Sequence, residues 1–174
     1  MSDSPRGSRT VRETQHASSS LMMPADENSL GHVFGGAILA LIDKTGAVCA
    51  IRHARHSCVT VSVDRVDFRE PILVGELVHV LASVNWVGRT SMEVGLRIDA
   101  ENMLTGVRRH TNSCYVTYVA LGRDGKPTEV PELVRETAEE ERRYAAGAER
   151  RHWSSCRNTP RWSQLRERCA GSDR

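Results

Sequence analysis

The chain combines one almost wholly apolar segment with a series of alternating segments that follow it. Residues 37–42 and 47–51 are apolar at every position, and the loop-forming stretch "PADENSLGHVFGG" comes immediately before them. This order predicts a helix that begins near Gly35 or Gly36 and ends at about Arg52. Because its apolar residues surround the helix axis instead of forming one stripe, we expect the helix to be buried on all sides.

Apolar and polar residues alternate in four stretches after the predicted helix, which is typical of half-buried antiparallel strands. The stretches contain "VTVSV", "VHVLASV", "MEVGLRI" and "HTNSCYVTYVAL", and turns with Gly75, Gly88 and Gly106 separate them. A further short strand is expected at Ser20–Met23. The predicted fold class is therefore α+β, with a long buried helix wrapped by a curved antiparallel sheet of about five strands.

The two ends of the chain differ from the middle in composition. Residues 1–19 are rich in Ser, Thr and Arg and predict a disordered arm. The folded domain is expected over residues 20–127, where the turn "GRDGKP" closes the sheet. Residues 128–174 predict a charged, solvent-exposed helix that begins near Glu132, followed by a flexible tail, because acidic and basic residues recur there at helical spacing.

Charge and cysteine content narrow the functional classes. The 174 residues include 24 Lys and Arg against 22 Asp and Glu, so the net charge of +2 does not indicate a nucleic-acid partner. Five cysteines without a C-x-x-C spacing are typical of reduced, structural thiols in a cytoplasmic protein. No secretory signal is recognisable, and no apolar stretch is long enough to predict a membrane span.

Asp43 is a carboxylate in the middle of the apolar helix. An ionised carboxylate is costly to bury without a partner, and the adjacent Lys44 points to a different side of the helix. Asp43 is therefore either a structural group bonded to another strand or subunit, or a general base or nucleophile. The residues around it favour the second interpretation.

Gly35 and Gly36 leave the first amides of the predicted helix uncovered. Such amides suit an oxyanion or a phosphate, although tight helix–sheet packing also explains the two glycines. Asp43 lies two turns after Gly36, about 10 Å further along the same face. One substrate carbonyl does not easily reach both ends of that span, so we expect a site that joins two subunits.

Polar residues on either side of the helix complete the candidate chemistry. Asn28 precedes the helix and either polarises a carbonyl, orients a water or forms an Asx turn. His32 in the same loop is either a general acid–base group or ordinary polar surface. His53 and His56 are close in sequence, but no third ligand accompanies them, so no metal site is predicted.

These residues and the strands after them resemble the acyl-CoA thioesterases of the hotdog fold, in particular the cytosolic long-chain acyl-CoA hydrolases and their short bacterial relatives. The resemblance covers about residues 20–125 and rests on N-x-x-G-x-x-F-G-G-x-x-L-x-x-x-D together with "VTVSVDRVDFREPILVGELVHVLASVNWVGRTSMEVGLRI". It implies at least a homodimer, and a trimer of such dimers. Because the pattern occurs once, a second chain is implied to supply the other half of each site.

The resemblance also implies roles for single residues in the hydrolysis of fatty acyl-CoA. The Gly36 amide holds the thioester oxygen, Asp43 activates water or attacks directly, and Asn28 of the partner orients the water or the carbonyl. No metal or bound cofactor is required, since coenzyme A is part of the substrate. Its phosphates need cations and amide donors at the mouth of the site. The candidates are Gly35, Arg89, Thr90, Ser91, Arg108 and Arg109.

Two other functions remain open at this point. A hotdog dehydratase would pair His32 with Asp43 across subunits, although the His-Phe-Pro loop usual in such enzymes is absent. A non-catalytic acyl-CoA sensor would need a partner-binding module, for which residues 132–174 are the candidate. Release of free thiol from acyl-CoA distinguishes a hydrolase from both.

Overall fold

The computed structural model describes residues 6–64, 66–68 and 70–155, with residues 152–155 described by their backbone alone. A single 3-10 turn at Pro24–Asp26 precedes the long helix. In chain order the other elements are β1 (Ser8–Thr10), α1 (Val11–Thr14), β2 (His16–Leu21), α2 (Gly35–Ala54), β3 (Ser57–Val63), β4 (Glu76–Val87), β5 (Ser91–Asn102), β6 (Arg108–Leu121), β7 (Glu132–Val134) and α3 (Ala138–Ser155).

Five of the strands form one antiparallel sheet in the order β2–β4–β5–β6–β3. The sheet curls around α2, whose buried residues Ile38, Ile42 and Cys49 form one hydrophobic core with strand residues such as Val80 and Val94. This arrangement confirms the predicted α+β class, the number of strands and the start of the long helix.

One side of α2 is not covered within the single chain. Leu39, Val48 and Ile51 on this side are 40%, 37% and 44% exposed. The prediction of a helix buried on all sides is therefore wrong for one chain, because the sheet packs against only part of its circumference. By the helical period, Gly36 and Asp43 belong to the same uncovered face.

The N-terminal segment has regular structure from Ser8 onward, which corrects the prediction of a disordered arm for residues 8–19, while residues 1–5 lie outside the described residues. Strand β1 pairs in parallel with β7, a capping box between Thr10 and Glu13 starts α1, and β2 pairs with β4. The first sheet strand is therefore His16–Leu21 instead of Ser20–Met23. Its serines and alanine hid the alternation, since small residues carry little hydrophobic signal.

The C-terminal charged helix begins at Ala138 instead of near Glu132. The residues before it form β7, which pairs with β1 and buries Leu133 in the core. A strand and a turn therefore occupy the segment in which helical spacing of charges predicted the start of the helix. The predicted flexible tail beyond residue 155 lies outside the described residues.

Candidate active site

Asp43 lies on the uncovered face of α2, and its side chain is exposed in the single chain. Its Oδ1 accepts a hydrogen bond of 2.6 Å from the Thr60 hydroxyl on β3. The expectation that Asp43 is buried is therefore wrong for the single chain, whereas a partner on another strand agrees with one of the two alternatives that the sequence left open. Sequence reasoning missed Thr60 because it is one of two polar residues between the valines of its strand, with no signal of its own.

Tyr118 fixes the main chain of the same helical turn. This fully buried residue of β6 is the cross-strand partner of Thr60, and its hydroxyl donates a 3.0 Å hydrogen bond to the main-chain carbonyl of Asp43. Gly46 makes the contact possible, because a Cβ at that position would overlap the hydroxyl. Burial, and then the charge of Asp43, raise the pKa of Tyr118, so the hydroxyl remains a donor.

The first amides of α2 have no side-chain cap. Phe34 occupies the N-cap position without a capping hydrogen bond, and no acceptor for the Gly36 amide occurs among the described residues. A Cβ at Gly36 would overlap the Phe34 ring, and one at Gly35 would lie 3.5 Å from the Phe68 ring. Glycine at position 36 therefore lets the Phe34 ring close on the helix tip, whereas a Cβ at position 35 would make only an ordinary contact with Phe68, and the amides of the tip stay open.

Asn28 organises the loop that leads to the helix tip. Its Oδ1 accepts hydrogen bonds from the main-chain N–H groups of Leu30 (2.8 Å) and His32 (3.2 Å). The main-chain N–H of Asn28 donates to the His32 carbonyl at 2.7 Å. These bonds confirm the Asx turn. Among the described residues its Nδ2 has no partner, which leaves two N–H donors for a substrate or a water. Turn formation and a catalytic role are thus compatible.

The residues nominated for coenzyme A fall into two separate groups. Arg89, Thr90 and Ser91 lie at the turn between β4 and β5, whereas Arg108 and Arg109 begin β6 at the opposite end of β5. Because β5 contains 12 residues, the two groups are about 35 Å apart along the sheet. A single chain therefore does not bring both groups to one site.

Arg109 supports the loop that holds the helix tip. Its guanidinium forms two hydrogen bonds with the buried Glu76 carboxylate and donates to the Pro71 carbonyl at 2.8 Å. The neighbouring Ile72 carbonyl accepts a 2.8 Å hydrogen bond from Val33, just ahead of α2. Hydrogen bonds from Arg109 hold the pKa of Glu76 below its ordinary value, so the pair stays charged.

The other two nominated arginines have weaker or more exposed partners. Arg108 lies 3.0 Å from a carboxylate oxygen of Asp99. Arg89 lies 3.6 Å from Glu129, and 76% of its side chain is exposed. Arg89 is therefore the nominated arginine with the greatest freedom to turn towards a phosphate.

The described residues contain no group of three His, Cys, Asp or Glu side chains placed to hold a metal ion. His53 is fully buried and bonds the Pro131 carbonyl through Nε2 at 2.9 Å, whereas His56 is exposed. The two histidines therefore have different surroundings. Among the described residues, no helix is both long enough and apolar enough to cross a membrane.

A long helix wrapped by a curled antiparallel sheet, with open amides at its tip and a carboxylate held by a neighbouring strand, defines a hotdog protein with a candidate acyl-transfer site. The family model of the thioesterase superfamily matches residues 30–107. The uncharacterised acyl-CoA thioester hydrolase YkhA of Bacillus subtilis is 35% identical over 166 residues, which cover 95% of each chain. The chain therefore belongs to the thioesterase superfamily.

Two solved structures are similar along most of the chain. An apo-hexameric acyl-CoA thioesterase is 38% identical with a TM-score of 0.83, covering 89% of this chain and 99% of that one. An acyl-CoA hydrolase from Staphylococcus aureus, in complex with butyryl coenzyme A, coenzyme A and coenzyme A disulfide, is 31% identical with a TM-score of 0.79, covering 94% and 99%. They confirm the hotdog fold.

Proposed function

We propose that the protein hydrolyses fatty acyl-CoA to a free fatty acid and coenzyme A. The observation that carries the proposal is the Asp43 carboxylate, held by Thr60 on the same face of α2 as the open Gly36 amide. A positioned carboxylate activates water or attacks a carbonyl, and an uncapped helix tip stabilises negative charge on the carbonyl oxygen. The acyl-CoA hydrolases among the similar proteins support this substrate class.

Thr60 determines which oxygen of Asp43 reacts. Because Thr60 bonds Oδ1, the other oxygen remains to take a proton from water or to attack the thioester carbon, and the proposal includes both routes. In either route the C–S bond breaks, coenzyme A leaves and takes up a proton, and water supplies the hydroxyl of the acid. The Gly36 amide and Asn28 Nδ2 donate to the carbonyl oxygen or to the water.

Each site is assigned to two chains. Gly36 and Asp43 are about 10 Å apart along α2, so one thioester does not easily contact both in the same chain. The exposed apolar side chains of Leu39 and Ile51, on the same half of α2 as Asp43, offer a second copy a surface to cover. In a symmetric dimer, Asn28 and the helix tip of each chain serve Asp43 of the other, giving two equivalent sites. The apo-hexameric thioesterase supports a trimer of such dimers.

The nominated arginines remain proposals as ligands of the coenzyme A phosphates. Arg89 offers an exposed guanidinium beside the Thr90 and Ser91 hydroxyls, and Arg108 and Arg109 lie at the same end of the sheet as the helix tip. Since the two groups are far apart in one chain, a site that uses both takes them from different chains. The free cysteine thiols support a cytoplasmic location.

Release of free thiol from acyl-CoA tests the proposal. The purified full-length protein is incubated with acetyl-, octanoyl- and palmitoyl-CoA, and a substrate-free blank subtracts the thiols of its own cysteines. We expect release from at least one of these substrates, with no effect of added chelator. Zero release from all three would contradict the proposed hydrolysis.

A further inference from the structure

A serine, a histidine and an aspartate are linked by hydrogen bonds on the outer face of the sheet, on the side opposite to α2. His110 Nδ1 lies 3.1 Å from Asp99 Oδ1, and His110 Nε2 lies 3.2 Å from the Ser113 hydroxyl. Hydrolases activate a serine with these three residue types joined in this order. Ile98 and Ala100, on either side of Asp99 in β5, are fully buried in the core. Because side chains alternate along a strand, the three linked residues belong to the other face and are separate from the proposed thioesterase site.

A β-bulge in β6 brings the serine and the histidine together. Residues three apart in a regular strand point to opposite faces, but the register between β5 and β6 shifts here and leaves Thr111 as an extra residue on β6. Thr111 is 1% exposed, and its hydroxyl lies within hydrogen-bonding distance of the Ile98 carbonyl, at 3.1 Å. His110 and Ser113 therefore lie on the same face. Bulges are over-represented next to active sites because they redirect a side chain in this way.

The aspartate determines which ring nitrogen of His110 carries the proton. Arg97 and Arg108 also bond its carboxylate, each through Nε, at 2.9 and 3.1 Å. Burial raises the pKa of Asp99, but the hydrogen bond from His110 and the charges of the two arginines outweigh it and hold the pKa below its ordinary value. An ionised carboxylate only accepts hydrogen bonds, so Nδ1 of the neutral ring donates to it. His110 Nε2 is then the nitrogen that accepts the proton of the Ser113 hydroxyl.

Arg97 lies beside the serine as well as beside the aspartate. It is the direct cross-strand partner of Ser113, and the Cβ atoms of such a pair are about 5 Å apart. Its described hydrogen bonds use only Nε, which leaves the terminal amino groups as donors. A cation at this position stabilises the negative charge that forms on a carbonyl oxygen when a serine attacks it. Ser113 is exposed in the single chain, so a substrate reaches it from solvent.

We propose that Ser113, His110 and Asp99 form a second catalytic site, at which Ser113 transfers the acyl group of small carboxylic esters to water. Ser113 Oγ bonds the acyl carbon while His110 takes the hydroxyl proton, and His110 gives that proton to the alcohol as the ester C–O bond breaks. Water then attacks the acyl-serine. His110 accepts the proton of the water and returns it to Oγ as the acid leaves. Arg97 stabilises the negative oxygen in both steps. Esters with a small acyl group are implied, because the nucleophile lies on an exposed strand.

Labelling with diisopropyl fluorophosphate tests whether Ser113 is activated. In this reaction the serine oxygen bonds phosphorus, fluoride leaves, and His110 takes the hydroxyl proton. The full-length protein is treated with the reagent, and peptide mass spectrometry identifies the labelled residue. We expect one label per chain, on Ser113 and not on Ser19. Ser19 is a control within the same protein, because its hydroxyl bonds His79 Nδ1 at 2.8 Å but no Arg or Lys is its direct or diagonal neighbour on β4.

Two histidine variants separate activation of the serine from its exposure. His110→Gln removes the base and should slow the labelling of Ser113 about 10²-fold or more, whereas His79→Gln removes a histidine from the same face and should leave the rate within about twofold. Equal labelling rates in the two variants, or an unlabelled Ser113 in the wild type, would overturn the proposal.

Hydrolysis of p-nitrophenyl acetate gives a second readout, which keeps the test open if a histidine variant does not fold. All proteins in this assay carry Asp43→Asn, so the result does not depend on the proposed thioesterase reaction. Ser113→Ala should lower the rate above buffer about tenfold or more, whereas Ser19→Ala should leave it nearly unchanged. Equal rates in these two variants would also overturn the proposal.

Discussion

Replacing Tyr118 by Phe removes one hydroxyl and leaves the buried ring in place. The lost oxygen donates to the Asp43 carbonyl at 3.0 Å, and it is also the atom that a side chain at Gly46 would overlap. The substitution therefore has two separable consequences. It weakens the hold on the turn of α2 that carries Asp43, and it opens space beside Gly46.

The free energy of unfolding should fall by about 1 kcal/mol in Tyr118→Phe, the usual net contribution of one neutral hydrogen bond. The Asp43 carbonyl keeps its helical hydrogen bond, so no acceptor is left unpaired. For a chain of 174 residues, this lowers Tm by about 2–4 °C. Gly46→Ala alone should cost about 2 kcal/mol, because the overlap outweighs the helix propensity that Ala gains over Gly.

A double-mutant cycle measured by urea denaturation tests this packing. In the Tyr118→Phe background, Gly46→Ala should cost at least about 1 kcal/mol less than it does in the wild type, because the overlapping atom is gone. Additive free energies across the four proteins would refute the argument. In the acyl-CoA assay, kcat of Tyr118→Phe should fall about threefold with KM unchanged, since the change affects the position of the carboxylate and not substrate binding.

Three further substitutions test single groups. Asp43→Asn should lower kcat about 10²-fold or more. The variant should remain folded and show a cooperative transition on heating, and near-normal turnover would make Asp43 structural. Burial lowers the pKa of His53, although the hydrogen bond to Pro131 opposes this shift. The free energy of unfolding should therefore decline as the pH falls below about 6.5. Urea titrations should show a smaller decline with pH in His53→Gln than in the wild type, and equal declines in the two proteins would exclude His53 as the cause. Arg109→Lys keeps the charge but loses the forked pairing with Glu76, so calorimetry should show a stability loss of about 1–2 kcal/mol, and an unchanged Tm would contradict the bracing role.

The elements predicted correctly from the sequence have strong periods. The apolar run of α2 and the alternating apolar residues of β4 and β5 each continue over enough residues to identify the element, and in the two strands the alternation also identifies the buried face. Strand β2 was misplaced because its serines and alanine give almost no alternation. The open side of α2 was mistaken for a buried one, since a surface for a second copy has the same apolar composition as a core.

The candidate site likewise contains residues that the sequence can nominate and residues that it cannot. Asn28, Gly36 and Asp43 lie close together in sequence around one helix, so a local pattern could nominate them. Thr60 and Tyr118 reach Asp43 from two different strands, and only the register between those strands brings them together. Sequence alone therefore had no means of finding the contacts that hold the carboxylate.

Complementation between two inactive variants tests the central claim, hydrolysis at a site shared by two chains. Asn28→Ala and Asp43→Asn are each expected to be inactive as homodimers. If Asn28 of one chain serves Asp43 of the other, a mixed dimer has one site with both substitutions and one intact site. Random reassortment makes half of the dimers mixed, so about a quarter of wild-type thiol release should return.

The two variants are co-expressed or refolded together, and native mass spectrometry counts the mixed dimers in the sample assayed for acyl-CoA hydrolysis. Recovery of about a quarter of wild-type activity, in proportion to the mixed fraction, is the result that a shared site predicts. Recovery near zero in a sample with abundant mixed dimers would place Asn28 and Asp43 in a site of one chain and contradict the account.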